Sequence, residues 1–182
     1  VFIPWEHKGK PVTLIDTAGV RKRGRVDDMI EKFSVVKTLQ AIDAAQVVLL
    51  ILDAQEGVVE QDLHLLGFVT ERGCALIIAM NKWDGLTNDQ RERVKTELDR
   101  RLDFIDYAEV VFISALHGSN VGLLMDKVEK AHASAGIKLS TPRLTESLEV
   151  AQFKHMPPLI NGRRIKLRYA HQGGRFPPTV II

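Results

Sequence analysis

Four short runs are apolar almost without a break and rich in β-branched residues: VTLID at Val12 to Asp16, VVLLILD at Val47 to Asp53, ALIIAMN at Ala75 to Asn81, and VVFIS at Val110 to Ser114. A strand with one face in water alternates apolar with polar residues, so uninterrupted runs predict strands covered on both faces. Amphipathic segments lie between them. Asp28 to Ile42 places Ile30, Phe33, Val36 and Leu39 at three-residue spacing, and Val59 to Arg72 carries Leu63, Leu66 and Val69. Asp89 to Leu102 is charged with Val94, Leu98 and Leu102 inward, and Val121 to Ala135 has Leu124, Val128 and Ala131. Strand alternating with helix predicts an α/β fold built on a mostly parallel sheet. The first pair, Val1 to Ile3 and Val12 to Asp16 around HKGK, has a connection short enough for an antiparallel hairpin.

The rhythm changes at Gly136 to Pro142, which reads as a linker between a domain over 1–138 and a smaller one over 139–182. The second part predicts a helix near Leu144 to Lys154, a loop with MPPLING, a strand Arg164 to His171, a Gly173–Gly174 turn and a final strand Thr179 to Ile182. Charge divides at the same place. Residues up to Lys138 hold 18 basic and 21 acidic side chains, while Leu139 to Ile182 hold 7 and 2, a balance suited either to a polyanionic partner or to a solvated basic face.

The 182 residues, 45% hydrophobic and 26% charged, are enough for a real core. No run is long enough to span a membrane, and the single cysteine, Cys74, has no partner for an internal disulfide. A cytoplasmic setting and a structural thiol are the expectations. The chain opens on Val1 in a strand-like VFIPW and closes on the strand-like PPTVII, which predicts a piece of a longer protein.

In a doubly wound sheet, ligands bind beyond the carboxyl ends of the strands. The polar clusters of this chain fall at those ends: DTAG (Asp16, Thr17, Ala18, Gly19), Asp53, NKWD (Asn81, Lys82, Trp83, Asp84) and SAL (Ser114, Ala115, Leu116). A carboxylate at Asp16 suits magnesium held through water. Gly19 lets a backbone amide approach a terminal phosphate. Asp84 can accept two parallel hydrogen bonds from adjacent ring N–H and exocyclic amino donors, the edge of guanine and not of adenine. Asn81 can bond the base and pin neighbouring loops, the Lys82 stem can lie along the ring, and the Ala115 amide can donate to the guanine oxygen. Each cluster has a plainer reading too. An Asp-to-Gly turn after a strand is common, SAL alone carries no information, and Asp53 is equally suited to capping a strand end. The three motifs in this order, at strand ends, favour a guanine nucleotide.

DTAG, NKWD and SAL resemble the later motifs of translation-factor-related GTPases. The longer runs DTAGVRKRGRV, EKFSVVKTLQAI, LLGFV, NKWDGL, FISALHGSNVG and RRIKLRYAHQGG are similar to the second GTPase domain and adjoining C-terminal domain of the Der (EngA) family of bacterial ribosome-assembly GTPases. The resemblance covers essentially the whole chain. It implies a GTPase-type α/β domain with helices on both faces, lacking its first strand and phosphate loop, followed by part of a KH-like α+β domain. It further implies GTP hydrolysis, magnesium with GTP or GDP, a role in large-subunit maturation, and an intramolecular first GTPase domain as partner. On it, Asp16 to Val20 face magnesium and the terminal phosphate, Asn81 to Asp84 read guanine, and Ser114 to Leu116 back the base. Val20 stands where Ras-like enzymes carry a water-positioning glutamine, so no catalytic residue is assigned.

The phosphate-cradling pattern GxxxxGK[ST] does not occur, and GKP at Gly9 to Pro11 lacks its spacing and hydroxyl. That loop supplies most phosphate contacts, so this polypeptide by itself is expected to bind GTP weakly or not at all. Arg21, Lys22, Arg23, Arg25 and Lys32 follow DTAG and resemble a second switch, able to touch RNA or a facing domain, or simply solvated. The basic residues Arg163, Arg164, Lys166, Arg168 and Arg175 are expected along a hairpin. No GxxG clamp occurs from Leu139 onward, which favours packing against a GTPase domain over RNA contact by the usual KH route. His155 and His171 are expected at the surface or in turns. The open alternative is an interaction module that binds ribosome or RNA on a degenerate GTPase fold without hydrolysis.

Overall fold

In a computed structural model, which describes residues 2–17, 28–160 and 162–182, the chain forms two compact units, Val1–His132 and Ala133–Ile182. The first is the α/β unit. Strands β3 (Val47–Asp53), β4 (Ala75–Asn81) and β5 (Glu109–Phe112) form a parallel sheet in that order. Strands β1 (Phe2–His7) and β2 (Lys10–Ile15) form a separate antiparallel hairpin, with Phe2 opposite Ile15 and His7 opposite Lys10.

The alternation of β4 shows why continuous apolar runs were needed. Leu76, Ile78 and Met80 enter one core with Ile42 of α1 (Asp28–Ala44), Leu66 and Val69 of α2 (Glu60–Arg72) and Leu98 of α3 (Asn88–Arg101). Ile77 and Ala79 enter a second core with Val111, Ile113 and Leu124 of α4 (Val121–Ala135). Successive strand residues point to opposite faces, so this sheet has helices on both. Local chemistry sets the helix ends. The buried Asp62 carboxylate accepts the Val59 N–H at 3.0 Å, Gly73 closes α2 at φ +66°, and Thr87 and Gln90 cap α3 reciprocally. The Cys74 thiol is half-buried against the carbonyls of Ile42 and Ala45, and burial pushes its pKa up, in keeping with a structural thiol.

Two expectations for this unit are corrected. VTLID is not covered on both faces: among the described residues β2 pairs with β1 alone, and Leu14 is 42% exposed. In α1 the strict three-residue spacing drifts off the face of a 3.6-residue helix, so Val36 is exposed while Thr38 and Ile42 are buried. GKP forms the β1–β2 turn and the start of β2, with Lys8 and Gly9 at φ +51° and +76°. That turn is tied to α4 by charge, Lys8 to Asp126 at 2.5 Å and Lys10 to Glu129.

The second unit holds α5 (Thr141–Lys154), two short antiparallel pairs, β6 (Leu159–Ile160) with β7 (Arg163–Arg164), and β8 (His171–Arg175) with β9 (Pro178–Ile181). The expected strand Arg164 to His171 is not formed. Instead, Gln152 donates to the Leu167 carbonyl at 2.7 Å and accepts its N–H at 3.2 Å, and Thr145 does the same for Ala170. Two side chains one heptad apart on α5 thus replace a strand ladder. The expected Gly173–Gly174 turn is also corrected. Both glycines lie inside β8 at a register shift, and the turn falls at Phe176–Pro177. A Cβ on Gly173 would meet Ile181 Cδ1 at 2.6 Å, so this glycine permits close strand approach. Consequently Lys166 and Arg168 lie in the segment held by α5, and the basic residues do not share one hairpin. His155 ends α5, while the His171 ring lies tilted against Tyr169 with centroids 5.4 Å apart.

Candidate nucleotide-binding site

Parallel pairing aligns the carboxyl ends of the three sheet strands. Asp53 lies opposite Asn81, and Met80 opposite Phe112, so Asp53, the NKWD turn and Ser114 gather at one edge. Here the chain turns sharply. Lys82 takes φ +63°, and a single 3-10 turn covers Trp83–Gly85. A left-handed non-glycine residue is uncommon and is held where its surroundings over-determine it.

Asn81 is the hub. Its Oδ1 accepts the N–H of Lys82 at 2.8 Å and that of Ala115 at 2.9 Å, joining the NKWD turn to the SAL loop. The Trp83 N–H donates to the Ile113 carbonyl at 3.1 Å, a second tie between the same segments. In this arrangement the Ala115 amide is engaged by Asn81, so donation to a base requires exchange or sharing of that bond.

The side chains then diverge. The Lys82 ammonium pairs with the Asp53 carboxylate at 2.5 Å, and Asp53 also accepts the Gln55 N–H at 2.9 Å. Trp83 packs inward on the first core, meets the Phe112 ring at a tilt of 33° with centroids 4.1 Å apart, and lies 5.7 Å under the Arg91 guanidinium, which donates to the Trp83 carbonyl. It acts as the turn's anchor. Asp84 faces outward. The Ser114 hydroxyl bonds its carboxylate, and this together with the charges of His117 and Arg91 holds its pKa below the ordinary aspartate value. Ser114 is 2% exposed, whereas Leu116 is 84% exposed.

Asp16 and Thr17 follow β2 on the hairpin, Asp16 exposed and Thr17 half-buried. Ala18, Gly19, Val20 and the basic stretch Arg21, Lys22, Arg23 and Arg25 lie outside the described residues, as does the side chain of Lys32. Sequence reasoning left His117 unremarked. Its ring Nε2 sits 3.3 Å from Asp84 Oδ2, and its backbone N–H donates to Ser114 Oγ at 3.3 Å. The signal was its place directly after SAL.

The sequence profile of residues 3–134 matches the elongation factor Tu GTP binding domain, nearly three-quarters of the chain. The chain belongs to that GTP-binding-domain family. Residues 138–182 match the KH-domain-like segment found at the C-terminus of EngA bacterial GTPase enzymes. Over all 182 residues the chain is 62% identical to GTPase Der of Thioalkalivibrio sulfidiphilus (strain HL-EbGR7), and 59% identical to GTPase Der of Saccharophagus degradans (strain 2-40 / ATCC 43961 / DSM 17024). It spans 39% of the length of each. Among solved structures, Era in complex with MgGDPNP and nucleotides 1506–1542 of 16S ribosomal RNA is similar with a TM-score of 0.61 and 22% identity, covering 71% of this chain and 43% of that one. Elongation factor SelB of Methanococcus maripaludis with the GTP analogue GppNHp gives 0.62 at 17% identity, covering 78% and 29%. These two likenesses establish the fold of the GTP-binding-domain family, here a parallel sheet with helices on both faces followed by a KH-like segment. Among the described residues no helix is long and apolar enough to cross a membrane.

Proposed function

We propose that this chain is the later part of a second GTPase domain (1–138) with the adjoining part of a KH-like domain (139–182), in a bacterial cytoplasmic protein that hydrolyses GTP during large-subunit ribosome maturation. The observation that carries the reading is the joining of NKWD to SAL through Asn81, with the Asp84 carboxylate presented beside the joint. Asp84 reads the paired donors of guanine, Asn81 bonds the base edge and holds both loops, and Ala115 donates to the guanine oxygen. Trp83 supports the turn, Ser114 braces Asp84, and Leu116 covers the base. Lys82 starts from its pair with Asp53 and lays its stem along the ring when the base enters.

Asp16 is an exposed carboxylate at a strand end, a hard oxygen donor suited to magnesium through water. Bound magnesium neutralises charge on the terminal phosphates. Thr17 to Val20 adjoin that end of the site, and Val20 leaves water to be oriented by another group. The partners are GTP or GDP, a preceding GTPase domain, and the large ribosomal subunit with its RNA.

By itself this polypeptide is deficient in nucleotide binding, because the groups that cradle phosphate are not among its motifs. Fluorescent GDP titration tests the whole reading. The full-length protein should bind saturably and lose at least about tenfold in affinity on Asp84→Ala. Saturable micromolar binding by residues 1–182 alone would refute the deficiency, and an unaffected Asp84→Ala protein would refute the site.

A further inference from the structure

The SAL loop does more than back the base. Ser114 Oγ accepts the His117 backbone N–H at 3.3 Å and donates to the Asp84 carboxylate, while the His117 ring reaches Asp84 Oδ2 at 3.3 Å. One residue is therefore locked to the same pair through both its backbone and its side chain. An ionised carboxylate offers about four lone-pair directions. Guanine needs one on each oxygen, and the remaining directions are open to bracing groups. The ring is 60% exposed and Asp84 38%, so both reach solvent where a base would enter.

We propose that His117 is a positioning residue for base recognition: with Ser114, it fixes the Asp84 carboxylate in the orientation that receives the two donors of guanine. The inference rests on Asp84 being the guanine reader. Of the charged groups around Asp84, Arg91 of α3 also acts favourably on its carboxylate. Lys82, on the same turn, is engaged with Asp53.

The test uses the full-length protein and compares GDP with xanthosine diphosphate, whose ring bears an oxygen in place of the exocyclic amine. H117A should weaken GDP binding about two- to fivefold, the range of an exposed charge pair. H117K supplies a charged donor at the same place and should restore binding. D84N presents an amide donor and should shift preference toward xanthosine diphosphate. If D84N shifts the preference while H117A matches wild type, or H117K fails to restore the loss, the role of His117 is overturned. If D84N leaves the preference unchanged, Asp84 is not the reader and the inference falls with that assignment.

Discussion

Two apolar runs of similar character end in opposite surroundings. From Leu76 to Met80 in β4 no residue is more than 3% exposed, because parallel neighbours flank the strand and helices cover both faces. In β2, built from the similar VTLI, Leu14 is 42% exposed and, among the described residues, β1 is the strand's one partner. An apolar run thus records what a strand is suited to bury. What it does bury depends on which elements pack against it.

The sharpest way to break this contrast is a pair of truncations in the chain. Ile78→Ala removes side-chain volume from a closed core and should cost about 2–5 kcal/mol, read as a lower urea midpoint at unchanged slope. Leu14→Ala should cost well under about 1 kcal/mol, since much of its side chain already meets water. Equal losses would erase the distinction between the two runs.

Asn81→Ala probes the edge of the well-packed sheet. It leaves the N–H groups of Lys82 and Ala115 without their acceptor, at a cost of about 1–3 kcal/mol, and the Ala115 amide should lose hydrogen-exchange protection. Retained protection at Ala115 would show that the two loops are joined by other means. In the second unit, Gln152→Ala should cost about 1–2 kcal/mol through both backbone bonds of Leu167. Gly173→Ala should cost about 1 kcal/mol, and Ile181→Ala in the same chain should recover most of it by clearing the clash.

The smallest effect is expected where the hairpin is held by surface charge. Lys8 lowers the Asp126 pKa, first through their hydrogen bond, and Lys10 lowers that of Glu129 likewise. A depressed carboxylate stabilises the fold above its unfolded pKa and loses that contribution as pH falls through the folded value. The raised pKa of Lys8 works in reverse, its contribution being lost at high pH. Asp126→Asn should therefore flatten the acid limb of the stability profile below about pH 4 and do little at neutral pH, less still in high salt. A large neutral-pH effect would mean that the hairpin depends on this clamp more than exposed charges allow.

The helices of the first unit were legible because their apolar positions recur at helical spacing. The bounds of α4 and the inward residues Leu66, Val69, Leu98 and Leu124 follow from that pattern. The segment 165–170 was not legible. Its alternation suits a strand, but Thr145 and Gln152 satisfy its backbone from a distant helix. Gly173 was misread for a related reason: a glycine that makes room for Ile181 looks the same in sequence as one that turns the chain. At the site, NKWD and SAL could be recognised as motifs, and their placement at strand ends was predictable. That Trp83 anchors on Phe112, that Lys82 pairs with Asp53, and that His117 reaches Asp84 could not be read from spacing.

Sequence alone determined the alternation of strands and helices, the family, and the chemical types gathered at the strand ends, because periodicity and short motifs are local properties of the chain. Only the tertiary structure decided which apolar runs are covered and which partner each polar group of the NKWD turn takes. Those outcomes depend on residues dozens of positions apart competing for the same hydrogen bonds and the same buried surface.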